Sequence, residues 1–464
     1  MRVAGAAKSC ALMRSPQLRL STLQRDPFRV LSRLQRKQGD IACFWLGRQR
    51  GYYVAAPELV DELFVRHRDD LGKRSSITRW WLRRPPTFVR GELFFTHDEG
   101  DHARIRKHFN RTFSSHHARQ DAGRSASIIE RIYREAAGRE IEMMHLAELL
   151  VVTAGMTTLL DREPDAATAS EIVDLAGSAR ETSAVFSSKS QLRRRRLLHP
   201  RRTRKIREAH SALAEICESF LLAHPDERPT ALSARMRLLR DLSSPSVMLM
   251  ISSLAPLIDS TAPAIVYALI AAASDPSIAT QLTGEVDALG AALLDGESLE
   301  RLPLSCAAAD ESLRLCTTWH VGRLCQRPFT AAGREFRVGD WLLTSPALIQ
   351  RDERFWPEPE EFRLDRWTPE QAASRPKYAY MPFGFGNRIC VGRNLTQTTI
   401  ALALAIFFRD WQLELKAAPP AWRAVQTGDF APSKPVYTRL VPRKAAGALR
   451  FDGAAGTRHK NRGT

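Results

Sequence analysis

The sequence predicts a mostly α-helical protein with small β-sheets, folded as one large unit. Three observations predict it. The chain has 464 residues, 44% of them apolar, which is enough for a sizeable core and too apolar for wholesale disorder. From about Asp101 to Glu300 the apolar positions recur almost throughout at helical spacing. Strand signals are short and lie outside that stretch. No internal repeat and no long low-complexity linker marks a domain boundary. The chain is therefore read as one domain over 26–443, with a poorly ordered segment at 1–25 and a basic disordered tail at 444–464.

The elements follow in order. DIACFWLGRQRGYYVA, from Asp40, reads as two strands around the turn Gly47–Gly51, and PELVDELFVRH, from Pro57, as the helix that follows. Pro85–Pro86 marks irregular chain. HARIRKHFNRTFS, EMMHLAELLVVTAGMTTLL and HSALAEICESFLLAH have helical periodicity. The stretch Val247 to Ser274 carries a single charge, Asp259, and is long enough to span a bilayer. Its two prolines, several hydroxyls and central carboxylate make such a span costly, so a buried helix through the middle of the protein is expected, with no transmembrane anchor. From Arg323 to Trp341 the pattern turns to short strands, with Gly333 and Gly339 as turns. Pro-rich chain follows to Pro382, then a last helix from about Val391 to Arg409, and GDFAPSKPVYTRLVPR reads as a terminal hairpin.

Lys plus Arg number 69 and Asp plus Glu 51, a net charge of +18. Such a balance suits nucleic acid, a membrane surface or an acidic partner. Much of the excess lies in QLRRRRLLHPRRTRKIREAH, Gln191 to His210, read as a solvated loop and exposed helix face. Nucleic-acid binding calls for a recognition element or interleaved aromatics, and neither is present. The seven cysteines have no C-x-x-C spacing, which argues against a disulfide scaffold or structural zinc and for a reducing cytoplasm. The N-terminal stretch MRVAGAAKSCALM does not read as a signal peptide, because Lys8 interrupts it and Arg14 follows.

The sharpest signal is PFGFGNRICVGRNL, Pro382 to Leu395. Glycines at 384, 386 and 392 let the backbone turn tightly and approach a flat ligand. Cys390 sits just before a helical pattern, where backbone N–H groups and the helix N-terminus favour a thiolate, and Arg388 adds a cation. Such a thiolate is a nucleophile or a soft metal ligand, while a buried structural cysteine is the commoner fate.

F-x-x-G-x-R-x-C-x-G, complete at Phe383, Gly386, Arg388, Cys390 and Gly392, resembles the haem-binding loop of the cytochrome P-450 superfamily. The resemblance covers roughly residues 26 to 443. It implies a fold in which haem b lies between a long distal helix and the helix of the Cys loop. It implies that Cys390 is the proximal thiolate on the iron, that Phe383 packs beside it, and that Arg388 pairs with a haem propionate. Glu311 and Arg314, in DESLRL, resemble the family's buried Glu–Arg pair, with Arg366 in EEFRLDRW as third member. His102 and Arg106, four apart in DHARIRKHF, resemble the His and Arg that hold the propionates, and Arg323 resembles a third propionate ligand.

The distal helix departs from the family pattern. Counting back from Asp275–Pro276 puts Asp259 at the family's acid, Ser260 at its Thr and Thr261 at the next hydroxyl. Leu257 then stands at the usual Gly and Pro256 at the small residue before it. A register one residue off makes Thr261 the key alcohol. Pro263 has no N–H, so the carbonyl of Asp259 loses its helix partner, and Pro256 does the same to Ser252. Two readings stand side by side: a helix opened by proline where oxygen binds, or a core helix merely kinked, with Leu257 crowding the oxygen.

The function implied is a cytoplasmic haem-thiolate monooxygenase of secondary metabolism. It inserts one oxygen atom from O2 into an apolar small molecule such as a terpenoid, fatty acyl or polyketide skeleton. Electrons come from a separate ferredoxin or flavodoxin with its reductase. Three alternatives remain open: a partner-independent haem-thiolate enzyme, such as a peroxygenase or isomerase; a non-catalytic haem-binding protein; and, on charge alone, a nucleic-acid-binding protein. Pocket candidates are Trp80, Trp81, Phe88, the chain near Phe186, the distal helix and the region of Phe430.

Overall fold

The computed structural model describes residues 15–72, 99–180 and 246–443, with breaks at 20–21, 24–25, 291–293, 319, 419 and 425–429, and a few helical residues between 208 and 219. The basic run from Gln191, Trp80, Trp81, Phe88, Phe186 and the tail after Arg443 lie outside the described residues.

Helices build the body and sheets flank it, as the patterning predicts. The central helix, Ser246–Ser274, is 29 residues long and continuous through both prolines. Its most extensive packing is against the helix Met143–Leu160, and it also meets Pro303–Leu315 and the last helix, Arg393–Asp410. Met143–Leu160 and the Leu257–Ser274 part of the central helix are long and apolar enough to cross a membrane, and both are mostly buried inside the fold. Mutual packing of two such surfaces removes them from water, at about 25 cal/mol per Å2 of apolar area.

A glycine sets how closely they approach. A Cβ on Gly155 would lie 2.5 Å from Leu257 Cδ2, so the leucine fills the space the glycine leaves. The last helix shows the same economy: Ile400 to Phe408 is buried without interruption, so its apolar residues cover the whole circumference.

The main sheet has six strands in the order Gln17–Leu18, Ile41–Leu46, Gln49–Val54, Trp341–Thr344, Val321–Cys325, Leu71–Gly72. The predicted hairpin is its centre, with Cys43 opposite Tyr52. Trp341–Thr344 joins parallel to Gln49–Val54 and antiparallel to Val321–Cys325, which ties the start of the chain to the region just before the Cys loop.

Three expectations are corrected. Ordered chain begins before residue 26: Gln17–Leu18 pairs with the strand Ile41–Leu46, and Leu23 is buried in the core. The helix from Pro57 runs one α-helical turn to Val60 and then widens to a π-helix over Asp61–Arg66. The terminal hairpin does not form as such. Phe430–Pro432 pairs with Trp422–Ala424, whereas Tyr437–Pro442 pairs with Trp411–Leu415 and with the distant Glu140–Glu142. Alternation of apolar residues marks a strand and does not name its partner.

Candidate active site

The site is built around the loop that ends the Pro-rich chain. Gly384 and Gly386 have φ of +73° and +66°, a region that side chains with a Cβ rarely enter, so the glycines are needed for the turn itself. Gly384 N–H donates to the Met381 carbonyl, a 3-10 turn covers Gly386–Arg388, and the Cys390 N–H donates to the Phe383 carbonyl at 2.8 Å. The loop is thus closed by its own backbone. Gly392, with φ −81°, caps the helix Arg393–Asp410; a Cβ there would lie 3.8 Å from Cys390 Sγ and from the ring of Phe113.

By accessible area Cys390 is exposed, yet protein atoms crowd its sulfur and burial pushes its thiol pKa up. Together these describe a side chain in the wall of a recess. The Gly392 N–H and the charges of Arg106 and Arg393 act the other way and favour the thiolate. The cations that reach the sulfur are therefore Arg106 and Arg393; Arg393 carries no signal in the sequence beyond its place at the helix start.

Arg106 comes from the helix Glu99–Thr112, and its Nη1 donates to the Ile389 carbonyl at 2.6 Å, next to Cys390. Burial pulls its pKa down, the Cys390 charge pulls it up, and the neighbouring cations Arg388 and Arg393 lower it further. Arg388 and Arg393 thus crowd Arg106, and Arg106 and Arg393 reach the cysteine. His102, one turn before Arg106, is buried. Arg323 lies in the strand Val321–Cys325, where its Nη1 bonds the adjacent Gly322 carbonyl at 2.9 Å. A thiolate donor set against arginines suits an iron macrocycle with anionic side arms, so these residues fit haem b.

Behind the loop lies the expected charge network. Arg314 holds both oxygens of Glu311 at 2.8 Å and donates to the carbonyls of Gln350, Pro359 and Glu361. Arg366 Nε reaches Glu311 Oε1 at 3.2 Å and its other nitrogens donate to the carbonyls of Pro357 and Glu358. Trp367 Nε1 and the Arg363 N–H also donate to Glu311. Gln350, missed in the sequence, links this network to the loop: its amide donates to the Arg314 carbonyl and its oxygen accepts from Met381 N–H at 2.7 Å.

On the central helix the three candidates diverge. At roughly 100° per residue, Leu257 and Thr261 share a face, and Asp259 lies almost opposite. Leu257 packs against Gly155. Thr261 is fully buried, and its hydroxyl lies 3.3 Å from that of Thr396 on the last helix. Asp259 and Ser260 are only part-buried. Phe430, offered as pocket wall, is buried against Phe28 at 5.3 Å with the Arg351 guanidinium over its ring.

Comparisons with known proteins agree with this geometry. The family model "Cytochrome P450" matches residues 11–430. Among curated proteins the chain is 30% identical over 190 residues to cytochrome P450 27C1 of Danio rerio, covering 40% of this chain and 35% of that one. It is 32% identical over 158 residues to cyclooctatin synthase of Streptomyces melanosporofaciens, covering 34% of each. These matches span about a third of the relatives' length. Among solved structures, CYP175A1 from Thermus thermophillus superposes with a TM-score of 0.71 at 21% identity over 92% of this chain and 99% of that one. The haem domain of cytochrome P450DA gives 0.73 at 17% identity over 89% and 92%. The loop that closes on Cys390, the helix it caps and the body that carries them are shared with a family of haem-thiolate oxidoreductases, and the chain belongs to the cytochrome P450 family.

Proposed function

We propose that the chain is a haem-thiolate monooxygenase acting on an apolar small molecule, with electrons delivered by a separate ferredoxin or flavodoxin and its reductase. The reading rests on one observation above all: Cys390 is held just before the helix Arg393–Asp410 in a loop closed by its own N–H on the Phe383 carbonyl, with Arg106 hydrogen-bonded to the adjacent Ile389 carbonyl. Haem bound there supplies the activation of dioxygen and the transfer of one oxygen atom to the substrate. Cys390 holds the iron as thiolate, and the closed loop keeps the sulfur in position. Arg106 orients the loop through Ile389 and, with His102, Arg323 and Arg388, is assigned to the propionates.

Asp259 and Ser260 are assigned to proton delivery. A carboxylate in an apolar helix is costly and is kept for a purpose. The carbonyl of Asp259 has no helix donor at Pro263, which gives water a place to bind beside the acid. Leu257 is turned onto Gly155, which supports a reading in which it does not crowd the oxygen. That favours a monooxygenase over the peroxygenase or isomerase reading. Ser260, next to the acid, is the alcohol assigned to the relay; the Thr261 hydroxyl lies against that of Thr396.

The test is spectroscopic. The reduced carbonyl complex is expected to absorb at the long wavelength typical of thiolate ligation. Cys390→His is expected to lose that band while still binding haem. An unchanged spectrum in the variant would exclude Cys390 as the ligand. Substrates that shift the haem spin state, and oxygen uptake with surrogate ferredoxins, then separate the monooxygenase from its alternatives.

A further inference from the structure

A second cluster of redox-capable side chains lies on the Cys side of the fold and takes no part in the function proposed above. Trp356, Trp367 and Tyr380 form a contiguous aromatic group: Tyr380 stands edge-on to Trp367 at 4.6 Å and to Trp356 at 6.3 Å. Trp356 Nε1 donates to the Ala379 carbonyl, next to Tyr380. The Tyr380 hydroxyl donates to Asp310 Oδ1 at 2.9 Å, and the same oxygen accepts from Gln397 Nε2 at 2.7 Å. Gln397 belongs to the helix that starts at Cys390's loop, and Tyr380 is three residues from Phe383, whose carbonyl receives the Cys390 N–H. Three residues of extended chain span at most about 11 Å.

The three rings differ in how they can lose an electron. Both indoles lie under cations: Arg375 is 4.6 Å from Trp356 and 4.8 Å from Trp367, and Arg314 is 5.0 Å from Trp356. Nearby positive charge opposes a tryptophan radical cation. The Trp367 N–H points to Glu311, a carboxylate already held by two arginines. Tyr380 donates to a carboxylate that no ion pair joins among the described residues, although the Arg375 charge reaches both groups. Burial raises the Asp310 pKa, with the hydrogen bonds from Gln397 and Tyr380 and the Arg375 charge opposing, so its carboxylate takes a proton more readily than an ordinary one.

We propose that Tyr380 is an internal electron donor to the haem when hydrogen peroxide oxidises it in the absence of substrate, with Asp310 as the proton acceptor. The proposal rests on the haem-thiolate reading. Tyr380 gives one electron to the oxidised haem, its O–H bond breaks, and the proton forms an O–H bond on Asp310. The phenol becomes a neutral phenoxyl radical and the carboxylate a carboxylic acid. One of the two oxidising equivalents of the peroxide then rests on a side chain, and the other stays at the haem.

The experiment mixes the haem-loaded full chain with hydrogen peroxide, freezes it and records its electron paramagnetic resonance spectrum. A tyrosine radical is expected in the unaltered protein, lost in Tyr380→Phe and largely lost in Asp310→Asn, which keeps the shape but cannot take the proton. Haem bleaching per peroxide is expected to rise in both variants. An undiminished radical in Tyr380→Phe overturns the proposal. So does a preparation with the thiolate carbonyl band but no tyrosine signal, which leaves the haem-thiolate reading standing; loss of that band overturns both.

Discussion

The two sides of the site are built on opposite plans. On the Cys side, Glu311, Arg314 and Arg366 are buried, and Glu311 receives five hydrogen-bond donations, from Arg314 twice, Arg363 N–H, Arg366 and Trp367. On the central helix the carboxylate is part-buried, and proline takes a backbone donor away where the acid sits. The first arrangement fixes one geometry; the second is the face to which proton delivery is assigned. On that reading, dense buried pairing belongs to the scaffold and partial burial beside a broken helix ladder to the working face.

The sharpest way to break that contrast is to unbalance the scaffold. Glu311→Gln leaves two buried guanidinium groups without their carboxylate and is expected to destabilise the fold by roughly 3–5 kcal/mol. Denaturant unfolding, or failure to accumulate as folded protein, checks it. A loss below about 1 kcal/mol, the size of an exposed pair, would mean that the network is not what holds this side together.

The working face is expected to respond in rate and not in stability. Asp259→Asn should slow oxygen activation by roughly 10²-fold, or about 2.7 kcal/mol of barrier, with haem content and unfolding midpoint unchanged. Oxygen consumed, peroxide formed and product made under one electron supply are the quantities to compare. Ser260→Ala is expected to divert electrons to peroxide in the same assay. If neither change alters that partition, the helix is no proton relay.

Thr261 separates the two plans within one helix. Its hydroxyl bonds Thr396, so Thr261→Val is expected to cost about 1 kcal/mol of stability and to leave the peroxide fraction unchanged. A rise in peroxide equal to that of Ser260→Ala would move the working face by one residue.

The smallest effect is expected at an exposed pair on the scaffold side. Arg354 holds both oxygens of Asp40 at 2.9 Å, and that hydrogen bonding lowers the Asp40 pKa against the opposing effect of burial. A carboxylate with a depressed folded-state pKa adds stability above its unfolded value of about 3.9, and that stability is lost as pH falls through the folded value. Asp40→Asn is therefore expected to cost less than about 1 kcal/mol at neutral pH, with the cost falling as the pH drops through the folded value. A difference that does not shrink on acidification would show a contribution other than charge.

Local features were readable from the sequence. The helical patterning, the hairpin from Ile41 and the glycines of the Cys loop are properties of short stretches. The Glu311–Arg314–Arg366 network was readable because its members recur in a known order. What stayed hidden depends on pairing across the fold. Thr396 meets Thr261 from 135 residues away, and Gln350 meets Met381 from 31. Tyr437–Pro442 finds Glu140–Glu142, nearly three hundred residues earlier in the chain, and no pattern within either strand states that choice. The packing of Leu257 against Gly155, on another helix, was likewise hidden.

The self-closed Cys loop also bears on which substitutions the protein can tolerate. Ordering a residue's backbone costs about 1–2 kcal/mol in conformational entropy. The Phe383–Cys390 hydrogen bond and the left-handed glycines meet that cost within the loop itself. A side chain placed at Gly384 or Gly386 would therefore shift the sulfur without touching it.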